Sequence, residues 1–375
     1  MVHVDSSYLI SKKAHFYWLD WLRFIAAFMV VAIHARGGFW VDWGRLEEGS
    51  RSLISAMFFA ATRAGTEWVL VFFVLSGFLV GGKLIERMQN KTFDLGKYAI
   101  DRVTRIWVPL IPALIWGALV AWLIGKQLSW SDLFGSLVGL QGVFTGSFAA
   151  NYPLWSLAYE IWFYFLGGCL AVWVSSPPKK RMIAGFGIAI GLAFFTKLDA
   201  TFLFSWILGA LSYWMYHEKK SAPMAISGVV LIILGFLLSQ LRSATVSVDL
   251  SAWQQYMPSA SVTMLMLSLG IAVILPYLTR LKPETNIGEQ INAVGVKLAA
   301  FSYTLYLTHY PTLYLWESYM PVRYEVIDFE SVGWYMLRII SCLILGWLLY
   351  LPFEKQTFQV RRFCHSFLET HFQKG

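Results

Sequence analysis

Stretches of apolar residues long enough to cross a lipid bilayer recur along the whole chain. A spanning helix needs about 17 to 25 such residues, and about ten segments near that length can be placed. They lie near residues 17–36, 64–82, 103–124, 154–175, 182–196, 200–216, 222–241, 259–279, 297–318 and 332–352. A backbone inside lipid must satisfy its own hydrogen bonds, so these segments predict helices. We therefore expect an all-α integral membrane protein with about ten transmembrane helices.

The charged residues agree with a membrane location and predict an orientation. Only 14% of the 375 residues are charged, against about 25% in soluble domains. Lys and Arg are concentrated in alternate segments between the spans, as they are in cytoplasmic loops. The predicted cytoplasmic set includes Lys12, Lys13, Lys219, Lys220 and Lys374, which places both termini in the cytoplasm. Orientation also explains the net charge of +8, so no nucleic-acid partner is expected.

The rest of the sequence predicts one domain. The three cysteines, Cys169, Cys342 and Cys364, lack the spacing of a disulfide framework or a metal site. Charged residues interrupt the first apolar segment, which we interpret as a retained span and not as a cleaved signal. Neither a repeat nor a linker divides the chain. We expect a single transmembrane domain over residues 1–375, with a short cytoplasmic tail at 355–375 and no appended soluble domain.

The first span, YWLDWLRFIAAFMVVAIHAR, contains ionisable side chains. Such a group in hydrocarbon costs roughly 2.5 to 3.5 kcal/mol on insertion scales, so it usually faces the protein interior and serves a function. Arg23 and His34 are separated by close to three helical turns, which places them on one face about 16 Å apart along the axis. His34 is a candidate general base, with an interfacial histidine as the alternative. Arg23 is a candidate functional residue on the same face. Its alternative is a structural role, in which the side chain extends to the cytoplasmic surface with Asp20 as its ion-pair partner.

Charged residues also mark the beginnings of two other spans. Arg102 and Arg105 lie at the cytoplasmic start of the third span, close enough to hold a phosphate group together. Ordinary positive-inside anchoring is the simpler alternative for both. Glu160 lies about one and a half turns into the fourth span, with Ser156 on the same face. A carboxylate at that depth needs a partner, either His34, whose imidazole it would orient, or a structural ion pair.

Small and aromatic residues characterise two further spans. WVLVFFVLSGFLVGG contains Ser76 and Gly77, which allow the close approach of a ligand or, as we favour, of another helix. SYTLYLTHYP places His309 in mid-span on the face of Tyr306, ahead of Pro311. Gating, proton relay and a purely structural role are all open for His309.

Taken in order, these segments resemble the membrane acyltransferase family 3, whose members transfer acyl groups to sugars and related acceptors at the cell envelope. An Arg-x10-His pattern matches Arg23 and His34, and an Arg-x-x-Arg pattern matches Arg102 and Arg105. FFVLSGF, LWSLAYEIWFY and SYTLYLTHYP match further segments of the family. The chain departs at Trp21, where many relatives have Gly. Each pattern is short, but the ordered set extends from the first span to the ninth.

The resemblance implies a membrane O-acetyltransferase of the bacterial inner membrane. It implies acyl-CoA, usually acetyl-CoA, as donor and a hydroxyl of an envelope polysaccharide or lipid-linked sugar as acceptor, with no resident cofactor or metal. Arg23, Arg102 and Arg105 would bind the donor. His34 would be the general base, oriented by Glu160, or would carry the acyl group covalently. The expected residues of substrate or structural support are Asp20, Ser76, Trp155, Ser156, Tyr303 and His309.

A second class of function also fits the buried charges. A secondary transporter or flippase would use Arg23, Glu160 and His309 as a proton or ion path. Against this alternative, the halves of the sequence share no repeat and contain no matched pair of broken helices.

Overall fold

The computed structural model describes residues 16–217, 222–247 and 256–372. These residues form helices and contain no strand, which confirms the all-α prediction. Lys12, Lys13, Lys219, Lys220 and Lys374 lie outside the described residues. The placement of both termini in the cytoplasm stays a prediction.

The described residues contain fourteen α-helices, numbered here in chain order. They are α1 Leu19–Gly37, α2 Leu53–Ala61, α3 Gly65–Gln89, α4 Leu95–Leu123, α5 Trp130–Val138, α6 Trp155–Ser175, α7 Pro178–Phe195, α8 Ala200–His217, α9 Ala222–Ser247, α10 Ala260–Leu278, α11 Asn286–Ala300, α12 Ser302–Tyr319, α13 Phe329–Tyr350 and α14 Thr357–Phe372. Within α3, residues Gly77–Gly81 form a π-helical turn.

Six described helical stretches are long and apolar enough to cross a membrane, which indicates a multi-pass membrane protein. They are Gly65–Gln89, Leu95–Leu123, Tyr152–Ser175, Met224–Arg242, Ala260–Leu278 and Phe329–Thr370. Each of the predicted spans overlaps at least one helix, although the count of about ten stays a prediction.

Two predicted span boundaries differ from the structure. The third span begins earlier than predicted, at Leu95, because the Asp94 side chain accepts a hydrogen bond from the Lys97 N–H and caps the helix. The predicted span 297–318 is interrupted between α11 and α12. There the buried Glu354 carboxylate accepts hydrogen bonds from the Thr304 N–H (3.0 Å) and hydroxyl (2.7 Å). A carboxylate at this position stabilises a helix N-terminus, so α12 starts anew.

Helices α1 and α12 pack against each other and carry the two candidate histidines. Helix α1 also contacts α3, α11 and α13, while α12 contacts α4 and α13. On α1, Ala26, Ala27 and Ala35 are fully enclosed. Small side chains of this kind let helix backbones approach closely, so α1 is held on several sides. The face that carries His34 therefore lies inside the bundle.

Helices α3 and α8 approach each other through glycine. A Cβ atom on Gly77 would collide with the Trp206 carbonyl oxygen, and one on Gly209 with the Val74 carbonyl oxygen. Both obstacles are backbone atoms, which cannot move aside as a flexible side chain can. Close helix packing, the interpretation favoured for this glycine segment, is what the structure shows at Gly77.

We expect Gly77→Ala to lower the midpoint temperature of thermal unfolding in detergent. The added methyl group must displace the α8 backbone, and overpacking of this kind typically costs about 1–3 kcal/mol. Gly185→Ala in α7 is the matched control, because nothing lies within 4 Å of an added Cβ there. Alanine favours a helix over glycine by about 1 kcal/mol, so the control should keep or raise the midpoint. Equal midpoints for Gly77→Ala and wild type would contradict the expectation.

Candidate active site

The two candidate histidines form a hydrogen-bonded pair between α1 and α12. His34 Nδ1 lies 2.9 Å from His309 Nε2, and the stacked rings have centroids 5.1 Å apart. His309 Nδ1 lies 2.6 Å from the Tyr306 carbonyl oxygen one turn earlier. His309 is fully enclosed, whereas His34 is only partly buried. His34 is thus the member of this histidine pair that can meet a substrate.

Glu160 is not the hydrogen-bond partner of His34. It accepts a hydrogen bond from the Tyr164 hydroxyl one turn further along α6. In the part of the chain that the structure describes, His34 makes its side-chain hydrogen bond to His309 instead. The expected orienting contact between Glu160 and His34 is therefore wrong, because the enclosed imidazole of His309 takes that place. A catalytic role for Glu160 stays a prediction.

A cavity of about 460 Å³ is rich in cations, and neither histidine is among the residues that line it. Its polar lining comprises Arg23, Ser76, Lys83, Arg87, Asp101, Arg102, Arg105, Ser156, Glu160, Tyr164, Ser302, Tyr303, Tyr306 and Arg361. Six cationic and two acidic side chains thus face one space, which we call the cationic cavity. The predicted residues Arg23, Arg102, Arg105 and Glu160 come together here, although they belong to three different helices.

The arginines of the Arg-x-x-Arg pattern differ in their partners. Arg105 Nη1 lies 2.9 Å from Glu354 Oε1, and its guanidinium lies 4.8 Å from the centre of the Tyr303 ring. Arg102 stacks over the Tyr164 ring at 5.2 Å, and its buried Nε has no hydrogen-bond partner among the described residues. The Arg105 charge is therefore balanced by a carboxylate. Arg102 retains an unused N–H donor at the cavity wall.

Arg361 is a cavity residue that the sequence reasoning missed. Its Nε lies 3.4 Å from Asp101 Oδ1, and His365 Nε2 lies 3.1 Å from the same oxygen. Lys97 and Glu369 add an ion pair at 3.3 Å between the same two helices, α4 and α14. The signal in the sequence is a spacing of four residues between these ionisable side chains, which recurs in α4 and in α14. That spacing places the side chains of each helix on one face. Residues predicted as a tail thus complete the cavity.

Lys83 and Arg87 were also absent from the predicted site. They lie beyond the glycine segment in α3, which the sequence reasoning ended at residue 82. Because α3 continues through its π-helical turn to Gln89, both side chains reach the cationic cavity. Their spacing of four residues could have indicated a shared face.

Tyr306 connects the cationic cavity to the histidine pair. Its hydroxyl lies 2.7 Å from Ser156 Oγ and 3.1 Å from the Pro153 carbonyl oxygen. Tyr306 and Ser156 line the cavity, while the Tyr306 ring centre lies 5.7 Å from that of His309. One buried side chain therefore borders both the cavity and the pair.

The remaining predicted residues have structural contacts. Asp20 Oδ1 lies 3.1 Å from Arg23 Nη1, as the ion-pair alternative predicted. The Trp155 ring packs edge-on against Tyr159 at 5.6 Å within an aromatic cluster. The Ser76 hydroxyl accepts a hydrogen bond from Trp206 Nε1 at 3.3 Å. Asp20 and Trp155 support the walls of the site and are not among the residues that line the cavity.

Comparison with known proteins identifies the family. Residues 16–362 match acyltransferase family 3, described as an acyltransferase domain. Neither a curated protein nor a solved structure gives a significant match. The matched range includes the histidine pair and all the residues that line the cationic cavity. The chain therefore belongs to acyltransferase family 3.

Proposed function

We propose that this membrane acyltransferase transfers an acetyl group from cytoplasmic acetyl-CoA to a hydroxyl of an envelope polysaccharide or lipid-linked sugar. The observation that carries the proposal is the continuity of the site. A cavity with six cationic side chains leads to Tyr306, and Tyr306 adjoins the histidine pair. A donor with phosphates at one end and a thioester at the other fits this succession of charged and uncharged surroundings.

The donor phosphates bind at the cation-rich part of the cavity. Guanidinium groups hold phosphate oxygens through charge-assisted hydrogen bonds, often two at a time. Arg102 supplies an N–H that no described residue uses, and Arg361 and Lys83 add charge beside it. The pantetheine arm then extends towards Tyr306, past Glu160 and Tyr164 on the cavity wall. A volume of about 460 Å³ lies in the range usual for small-molecule sites, about 300–1,000 Å³.

His34 acts as the general base in the transfer step. Its Nε2 takes the proton of the acceptor hydroxyl while the hydroxyl oxygen attacks the thioester carbonyl. The carbon–sulfur bond then breaks, and the imidazolium returns its proton to the leaving thiolate of CoA. The products are an ester and free CoA, and His34 regains its starting state. An acyl-imidazole intermediate on His34 is the alternative route to the same products.

The proposal includes a topology of ten spans with both termini in the cytoplasm of a bacterium and the protein in the inner membrane. The cationic cavity then opens towards the cytoplasmic pool of acyl-CoA. His34, near the other end of α1, lies towards the envelope side. Lipid surrounds the bundle, and the acceptor approaches from outside.

A reporter enzyme active only in the cytoplasm checks this topology. Fused after Gly375, it should be active, because ten predicted spans return the chain to the cytoplasmic side where it started. Inserted near Gly146, it should be silent, because three predicted spans leave the chain on the opposite side. A reporter that is active only in the periplasm should give the reverse pattern at the same two positions. An active cytoplasmic reporter near Gly146 would contradict the donor side as well as the number of spans.

Radiolabelled acetyl-CoA tests the transfer itself. Purified protein in lipid vesicles is incubated with the labelled donor and envelope extract from cells that lack the protein. We expect label in the glycan or lipid-linked sugar fraction, and free CoA in equal amount. Glycan mass profiles of cells with and without the protein should differ by the mass of one acetyl group per modified residue. Movement of an unmodified sugar lipid across the vesicle, without label transfer, would instead favour a flippase.

A further inference from the structure

We infer that His309 is a positioning residue that fixes the tautomer of His34, so that Nε2 of His34 is the nitrogen that meets the acceptor hydroxyl. The inference rests on the proposed function and deepens it. It follows from the hydrogen bonds that join Tyr306, His309 and His34 across α1 and α12.

The direction of each hydrogen bond follows from the chemistry of the groups. A neutral imidazole has one N–H donor and one acceptor nitrogen. The Tyr306 carbonyl oxygen can only accept, so His309 Nδ1 carries the proton and donates it across 2.6 Å. His309 Nε2 is then an acceptor, and His34 Nδ1 must donate to it across 2.9 Å. The lone pair on His34 Nε2 is left for the substrate.

The enclosure of His309 suits a positioning role and excludes contact with substrate. Its side chain is fully enclosed, and the adjoining Cys342 is enclosed as well. The Tyr310 ring stands edge-on to His34 with centroids 5.2 Å apart, which restricts rotation of the imidazole from another side. A neutral partner orients the base without placing a second ionised group in a medium of low polarity, where an ion is costly.

Loss of the acceptor nitrogen should affect turnover and leave donor binding alone. Without His309 Nε2, the His34 ring can rotate and exchange tautomers, so its basic nitrogen points at the acceptor for only part of the time. Misplacement of reacting groups by about 1 Å can cost about 10²-fold in rate. Tyr306 lies between the cationic cavity and His309. The substitution therefore leaves the residues that bind the donor in place, and the KM for acetyl-CoA should not change.

The test compares His309→Leu with His309→Gln in the full-length purified protein. Leucine cannot accept a hydrogen bond, whereas the glutamine side-chain carbonyl reaches a position close to that of Nε2 and can accept from His34. We expect His309→Leu to lower kcat about 10- to 100-fold at unchanged KM for acetyl-CoA, and His309→Gln to recover most of the loss. Thr308→Val is the control, since it removes a buried hydroxyl from the same turn without touching the pair.

If the wild-type protein is active, either of two results would overturn the inference. One is an unchanged kcat in folded His309→Leu, and the other is an equal loss of kcat in His309→Leu and His309→Gln. If neither variant folds, ¹⁵N NMR of histidine-labelled wild type decides, with the His34 signal assigned from its absence in His34→Gln. A proton on Nδ1 of His34 supports the inference, and a proton on Nε2 overturns it. An inactive wild type with a His34 proton on Nδ1 would count against the proposed function alone.

Discussion

His34→Gln should lower the rate of acetyl transfer by about 10²- to 10⁴-fold, the usual contribution of a general base. Glutamine removes the basic nitrogen and keeps a polar side chain of similar length between α1 and α12. His34→Ala should reduce the rate to a similar extent and loosen the helix contact as well. The measurement is label transfer from acetyl-CoA at saturating donor, scaled to the folded fraction of each variant.

Ile25→Ala provides the control for His34 within α1. Ile25 is 40% exposed, so its replacement tests whether any shortening of a side chain in this helix impairs insertion. It should transfer at the wild-type rate. Near-normal transfer by folded His34→Gln and His34→Ala would remove His34 from the chemistry, and the cationic cavity would then have to serve a reaction carried by other residues.

Most of the helices could be predicted because the bilayer restricts the backbone so strongly. An apolar segment of spanning length has hardly any alternative to a helix, so composition and length sufficed for the all-α fold. The break between α11 and α12 could not be predicted in the same way. It depends on the Glu354 carboxylate, which comes from a distant part of the chain and bonds to Thr304. Span ends set by such long-range contacts are not encoded in local hydropathy.

The candidate site was predictable wherever its residues share one helix. Arg23 and His34, or Arg102 and Arg105, are related by helical spacing, and that spacing can be read directly. The partner of His34 is separated from it by 275 residues, and no periodicity indicates it. The chemistry of a carboxylate at the depth of Glu160 predicts it as the orienting group. The structure shows that the imidazole of His309, from α12, fills that place.

The difference between Arg105 and Arg102 decides which of them tests donor binding cleanly. Arg105→Ala leaves the Glu354 carboxylate, whose side chain is 5% exposed, without its counter-ion. An uncompensated buried charge is strongly destabilising, so a loss of activity would combine unfolding with weaker binding. Glu354 also holds the start of α12, so the damage would extend to the helix of His309. Arg102 has no carboxylate partner among the described residues, and its removal disturbs less of the fold.

Arg102→Ala should weaken acetyl-CoA binding by about 10- to 150-fold, because each charge-assisted hydrogen bond contributes roughly 1.5 to 3 kcal/mol. Arg102→Lys should recover only part of this loss, since a point charge cannot reproduce the planar guanidinium. The measurement is calorimetric titration of detergent-purified protein with acetyl-CoA and, separately, with the dephospho form, which lacks the 3′-phosphate. If Arg102 contacts that phosphate, Arg102→Ala should have little further effect on the dephospho form.

Lys179→Ala is the control for charge in the Arg102 experiment. Lys179 is exposed at the start of α7 and is not among the residues that line the cationic cavity, so its removal changes the net charge without touching the proposed donor site. Its affinity for acetyl-CoA should equal that of wild type. If Arg102 only anchors the helix by the positive-inside rule, the expected results differ. Arg102→Lys should then restore function fully, and Arg102→Ala should lower the amount of inserted protein at unchanged affinity for acetyl-CoA. Unchanged affinity in folded Arg102→Ala would therefore reduce the Arg-x-x-Arg pattern to a topological signal and leave the donor path without its main contact.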